Sequence, residues 1–98
     1  MDQEKVEEIL KKLLPFILPE PLIDVAFDVR HFAPNKFTLY TVFSAPDEWL
    51  DNLDSINNAA FMHKVKMKLR SKIKSYTGID VEFDKDNFSI IKKSNWRG

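Results

Sequence analysis

"NAAFMHKVKMKLRSKIKSYTGIDVEFDKD", residues 58–86, is the stretch on which the fold turns. Its apolar positions Phe61, Met62, Val65, Leu69, Ile73 and Tyr76 fall within about 120° of arc at roughly 100° per residue, which predicts a helix with one buried face. Thr77-Gly78 stops that helix, with glycine just past the last periodic residue, where a left-handed backbone closes a helix C-terminus. From Ile79 the period changes: Val81 and Phe83 alternate with Asp80, Glu82 and Asp84, which predicts a strand with one wet face carrying three carboxylates. A long helix that passes through a glycine into a strand fits an α+β domain.

The same stretch holds Lys64, Lys66, Lys68, Arg70, Lys72 and Lys74, and residues 59–76 contain no acid. Lys64, Lys66, Lys68, Arg70 and Lys74 cover most of the polar circumference, and Lys72 sits at its edge, where the stem can lie along apolar surface. The chain as a whole has 15 bases and 15 acids, so this is segregation rather than excess. Residues 1–55 carry eleven acids against five bases, and the last segment sets Asp80, Glu82, Asp84 and Asp86 against Lys85, Lys92, Lys93 and Arg97. The molecule is electrically polarised.

Upstream, Val6, Ile9, Leu10, Leu13 and Leu14 have helical spacing, with Asp2 as N-cap and Glu4, Glu7 and Glu8 near the positive end of the helix dipole. Pro15 is expected to end this helix, and Pro19 and Pro21 to keep PFILPEP extended. Leu22–His31 and Phe37–Ser44 flank FAPNK, whose Pro34 and Asn35 suit a turn, and together they predict an antiparallel hairpin. Ile23, Val25, Phe27 and Val29 form its inward face on the first strand, and Phe37, Leu39, Thr41 and Phe43 share one face of the second. Ala45-Pro46-Asp47-Glu48 opens a short helix through Trp49, Leu50 and Leu53, and Asp54-Ser55-Ile56-Asn57-Asn58 marks a bend or a fresh cap before the basic helix. Asp84-Lys85-Asp86-Asn87 is read as a hairpin turn, after which Phe88–Ile91 returns as a short fourth strand.

The expected architecture is one α+β domain: residues 1–14 a helix, 22–44 a hairpin, 46–76 an interrupted helix, 79–91 a strand or hairpin and 92–98 a tail. The order α-β-β-α-(bend)-α-β-(β) implies a small antiparallel or mixed sheet of three or four strands with helices on one face. A single core suits 98 residues.

Composition narrows the chemistry. With no cysteine there are no disulfides, thiolate zinc sites or cysteine nucleophiles. Two glycines, Gly78 and Gly98, cannot build a phosphate-cradling loop. His31 and His63 stand in no metal-ligand spacing, and Asp84–Asn87 lacks the glycine and distal glutamate of a calcium loop. No nucleophile, base and orienter assemble from the sequence, so neither an enzyme nor a cofactor is expected. Trp49 is expected to pack and Trp96 to lie in the tail. The acidic, amphipathic MDQEKVEEIL is unlike a signal peptide, and no apolar run of about 18 residues exists, so the expectation is a cytoplasmic protein without a membrane partner.

Around residues 58–86 the chain resembles the ribosome-binding factor A family, with its type II KH-like arrangement, in which a small-residue kink opens a basic helix that leads to a strand ending in Phe and acids. The resemblance implies that Asn58, Ala59 and Ala60 form the kink, that Phe61 anchors the helix, and that Lys64, Lys68 and Arg70 belong to an RNA-facing surface. The family's usual kink glycine is replaced here by Ala60, its charged motif before the first strand by Pro19-Glu20-Pro21, and no GXXG loop is present.

Two functions fit. One is a small RNA-binding protein, ribosome-assembly-factor-like, with Lys64, Lys66, Lys68, Arg70 and Lys74 on phosphates. The other is a protein-interaction or assembly module, an accessory or viral structural subunit, whose basic helix docks on an acidic surface. The bases also have a plainer reading, as a solvated face balancing the acidic half. A face chosen only for solubility would mix signs, and this one does not.

Overall fold

Apolar spacing on the two long helices and alternation on the strands are both satisfied by one core. A computed structural model describes residues 2–34 and 36–97. The elements are α1 (Gln3–Ile17), β1 (Val25–Ala33), β2 (Lys36–Ala45), α2 (Asp47–Asp51), α3 (Ser55–Thr77) and β3 (Asp80–Lys92), followed by a 3-10 turn at Lys93–Asn95. The three strands form a mixed sheet in the order β1-β2-β3, antiparallel between β1 and β2 and parallel between β2 and β3.

Cross-strand partners share a face, so Val29, Leu39 and Phe83 line up, as do Val25, Phe43 and Ile90. On this face they meet Val6, Leu10, Leu14 and Ile17 of α1 and Val65, Leu69 and Ile73 of α3. Each fully buried side chain of this kind contributes about 1.5–3 kcal/mol, enough to hold both helices against the same face. The other face is wetter: Arg30 lies 5.2 Å above the Tyr40 ring and pairs with Asp28 at 2.8 Å. The radius of gyration, 13.4 Å, is near the value of about 13 Å for one folded unit of this length.

Several local expectations change. Pro15 does not end α1, which runs one further turn to Ile17. Ile17 continues the stripe of Val6, Leu10 and Leu14 and is buried, so packing offsets the hydrogen bond that proline removes. The segment after it is not extended: Leu22 N–H bonds to the Pro19 carbonyl at 3.0 Å and closes a turn containing a cis Glu20–Pro21 peptide. β1 starts at Val25 rather than Leu22, and Ile23 is exposed. Pro34 stands in the hairpin turn; the expectation for Asn35 lies outside the described residues.

The break in the middle of the chain falls at Asn52–Asp54, not at residues 58–60. Asp54 is the fresh cap, its carboxylate accepting from Asn57 N–H at 2.7 Å and from Asn57 Nδ2 at 3.0 Å. With that cap four residues upstream, Asn58, Ala59 and Ala60 lie inside a continuous helix, which alanine favours. At the far end Gly78, at φ 76°, donates to the Lys74 carbonyl at 2.9 Å as expected.

Asp84–Asn87 does not reverse the chain, and there is no fourth strand among the described residues. β3 runs on beside β2 with an irregularity, Leu39 facing Phe83 and Thr41 facing Phe88. The turn chemistry is real but local: Asp84 Oδ1 accepts from the backbone N–H of Asp86 (2.9 Å) and of Asn87 (3.1 Å), coiling four residues outward. Phe88 then re-enters the core, edge-on to Phe83 at 5.6 Å and tilted against Phe43 at 5.2 Å. Two aromatics seeking the same face decide against a hairpin.

Candidate nucleic-acid interface

α3 is 23 residues long, about 34 Å at 1.5 Å per residue, and its buried residues Val65, Leu69 and Ile73 fix which way its bases point. The bases divide into two stripes, each of i, i+4 spacing. Lys64, Lys68 and Lys72 run along one flank and Lys66, Arg70 and Lys74 along the other, with Met67, Ser71 and Ser75 between them.

The second stripe faces β3 and is partly engaged by it. Arg70 pairs with Asp80 at 3.6 Å, and the Lys66 ammonium sits 4.8 Å above the Phe88 ring. Both residues are only partly exposed, so two of the five residues expected to contact phosphate are engaged by β3. Lys64, Lys68 and Lys74 are exposed, as is Lys72, which the helical wheel put at the edge of the core face. None of these four forms an ion pair among the described residues, where the other acids that bind bases are committed elsewhere: Asp51 to Lys92 at 2.7 Å, Asp24 to Lys93 at 2.6 Å and Asp28 to Arg30.

The first stripe borders a cleft of about 340 Å³ between the Pro19–Pro21 turn and the start of α3, lined by Trp49, Phe61, Lys64 and Lys68, with Glu20 as its one acid. Trp49 packs edge-on against Phe61, ring centroids 4.6 Å apart, which sets the cleft wall. Phe61 thus anchors the start of α3 through α2.

His31 is exposed and stacks on Phe37 at 5.2 Å, and His63 is exposed on α3. Among the described residues no group of His, Asp and Glu is arranged to hold a metal ion, and no helix is long and apolar enough to cross a membrane. Asp80 and Asp84 are occupied by Arg70 and by the coil of the following residues.

Two features had no sequence signal. The C-terminal segment is stapled to the body rather than trailing: Ser94 N–H donates to Asp47 Oδ1 at 3.1 Å, beside the Lys92–Asp51 and Lys93–Asp24 pairs. The hydrogen bond from Lys93, then that from the Ser44 hydroxyl, holds the Asp24 carboxyl below its usual range. Ser94 does the same for Asp47, and Asp51 raises Lys92 above the usual ammonium value. The second feature is Tyr76, expected in the core but 69% exposed, near Phe16 at 88%. Tyr76 lines a depression with Ile9, Leu13, Phe16 and Ile17 of α1. No protein-family profile, curated protein or solved structure matches this chain.

Proposed function

We propose that this chain is a small non-enzymatic RNA-binding protein of the cytoplasm that holds the phosphate backbone with the exposed bases of α3. The observation that carries the reading is the stripe Lys64, Lys68 and Lys72: three exposed ammonium groups on one helix flank, unpaired among the described residues, in a chain with as many acids as bases. Leaving such charge uncompensated disfavours the folded state through self-repulsion, and an anionic ligand relieves it. Contacts of this kind read little sequence, so binding is nonspecific and strongly dependent on salt. A KH-like, ribosome-assembly role, which the resemblance around residues 58–86 implies, is the form of the proposal with a defined RNA target.

The test is fluorescence-anisotropy titration of a single-stranded RNA at several salt concentrations, with wild type beside a Lys64→Gln, Lys68→Gln, Lys72→Gln variant. Wild type is expected to bind in the micromolar range. The variant should show a log–log salt slope smaller in magnitude by about 2, from roughly 0.7 per single-strand phosphate contact. Absence of binding by folded wild type at low salt removes the reading and leaves the stripe as a dock for an acidic protein surface.

A further inference from the structure

Among the described residues the large exposed apolar side chains are Phe16, Ile23, Phe32, Met67 and Tyr76. Of these, Phe16 and Tyr76 line a common depression, about 510 Å³ in volume, formed where the C-terminal halves of α1 and α3 meet. Two aromatic rings held open to solvent at one place gain little from folding, because the surface they expose is the surface burial would have removed from water.

Their position relates them to the lysines. Tyr76 stands four residues after Lys72, one turn further along α3, and because each step of four advances about 40° around a helix of roughly 100° per residue, the line Lys64, Lys68, Lys72, Tyr76 winds toward the end of α1. Lys12 lines the depression with the two rings, and no carboxylate does. The line therefore reads as one winding track. It begins at the cleft walled by Trp49 and Phe61, passes Lys72, and ends on Phe16 and Tyr76. From Ala60 to Tyr76 it is about 24 Å long at 1.5 Å per residue, room for on the order of four nucleotides, the lower end of single-strand site sizes.

We propose that Phe16 and Tyr76 form a base-stacking platform for single-stranded RNA at the end of the Lys64, Lys68 and Lys72 stripe. The inference rests on the RNA-binding reading and deepens it, because the platform distinguishes the kind of RNA. Lysines alone grip any phosphate backbone. A ring can stack only on a base that is not already stacked within a duplex, so the track selects unpaired strands. Exposed cations that lead to exposed aromatics, with Glu20 at the far cleft as the one acid lining either depression, match a ligand that carries both phosphates and flat π-faces.

The experiment uses the full chain with two labelled probes, a single-stranded RNA octanucleotide and an abasic strand of the same length, which keeps the phosphates and removes the bases. Proteins are wild type, Phe16→Ala/Tyr76→Ala, Tyr76→Phe and the lysine triple variant, with circular dichroism confirming each fold. The aromatic double variant should bind the octanucleotide roughly 5- to 150-fold more weakly for each base unstacked. Its salt slope should be that of wild type, the abasic strand should bind both proteins equally, and Tyr76→Phe should behave as wild type. Equal affinity of wild type and the double variant for the octanucleotide overturns the platform while the lysine result stands. An equal loss on the abasic strand also overturns it, since the rings would then act through the backbone grip. Self-association that the double variant abolishes while RNA affinity is kept assigns the patch to a second copy of the chain and overturns it. No RNA binding by wild type removes the platform together with the function beneath it.

Discussion

Thr41 is buried at the middle of β2, on the face that packs against the helices, and its Oγ1 has no hydrogen-bond partner. An unsatisfied buried hydroxyl disfavours folding by about 1–3 kcal/mol relative to a partnered one. Valine has nearly the same shape and no polar atom to desolvate. Thr41→Val is therefore expected to raise stability by about 1 kcal/mol, read as a higher urea midpoint with an unchanged m-value; a loss of more than about 1 kcal/mol would show that the hydroxyl is satisfied. Ser44 presents the opposite case. It is equally buried, but its hydroxyl donates to Asp24 Oδ2 at 2.6 Å and accepts from Asp24 N–H at 3.0 Å. Both residues read as strand positions from their neighbours, and nothing in the sequence distinguishes the hydroxyl that finds a partner from the one that does not. The partner lies 20 residues away.

At the scale of elements, the separation of α2 from α3 depends on Asp54. Its carboxylate satisfies the Asn57 N–H and gains from the positive end of a helix whose first turn has no other acid. Asp54→Ala is expected to destabilise the protein by about 0.5–2 kcal/mol in denaturant unfolding, with Asp54→Asn retaining most of that stability because the amide oxygen still caps. If the alanine variant is as stable as wild type, packing of Phe61 on Trp49 rather than the cap sets where α3 begins. The position of this break could be narrowed from the run of polar residues at 54–58 but not assigned within it, since Asp54, Ser55, Asn57 and Asn58 all have capping side chains. The two stripes of α3 have a similar limit. Their spacing is in the sequence, whereas the engagement of Arg70 by Asp80 and of Lys66 by Phe88 needs β3 to lie alongside.

At the scale of the whole molecule, residues 92–94 tie the end of the chain to the β1 entry and to α2, through Lys93 with Asp24, Lys92 with Asp51 and Ser94 with Asp47. The folded-state pKa values of Asp24 and Asp47 are lowered from 3.8. Their contribution to stability is therefore present above that ordinary value and is lost as pH falls through the lower folded values. Lys93→Ala should be less stable than wild type near neutral pH, and the difference should close below pH 3.8 as Asp24 is protonated. Chemical denaturation across pH 2 to 7 checks this, and a difference that persists unchanged at the acid end would assign the effect to lost packing rather than charge. Lys93 is half exposed and Asp24 is about a quarter exposed (50% and 28%), so salt is expected to shrink the difference as well.

What the sequence determined by itself is the α+β class, the two amphipathic long helices, the β1–β2 hairpin, the glycine stop at Gly78 and the segregation of bases onto α3. Each of these rests on local period or on a single residue's backbone preference, and both act within a few residues. Tertiary structure alone decided that β3 continues parallel to β2 instead of turning back, that α1 runs past Pro15, that Tyr76 stays outside the core and that the C-terminal segment is clasped. In each case the outcome depends on what a distant part of the chain offers. Phe43 draws Phe88 inward, the core receives Ile17, Tyr76 meets the end of α1, and three aspartates converge on the last segment. Local preference supplies about a kilocalorie per position, and burial or pairing against a distant element supplies as much or more, so where the two disagreed the distant contact prevailed.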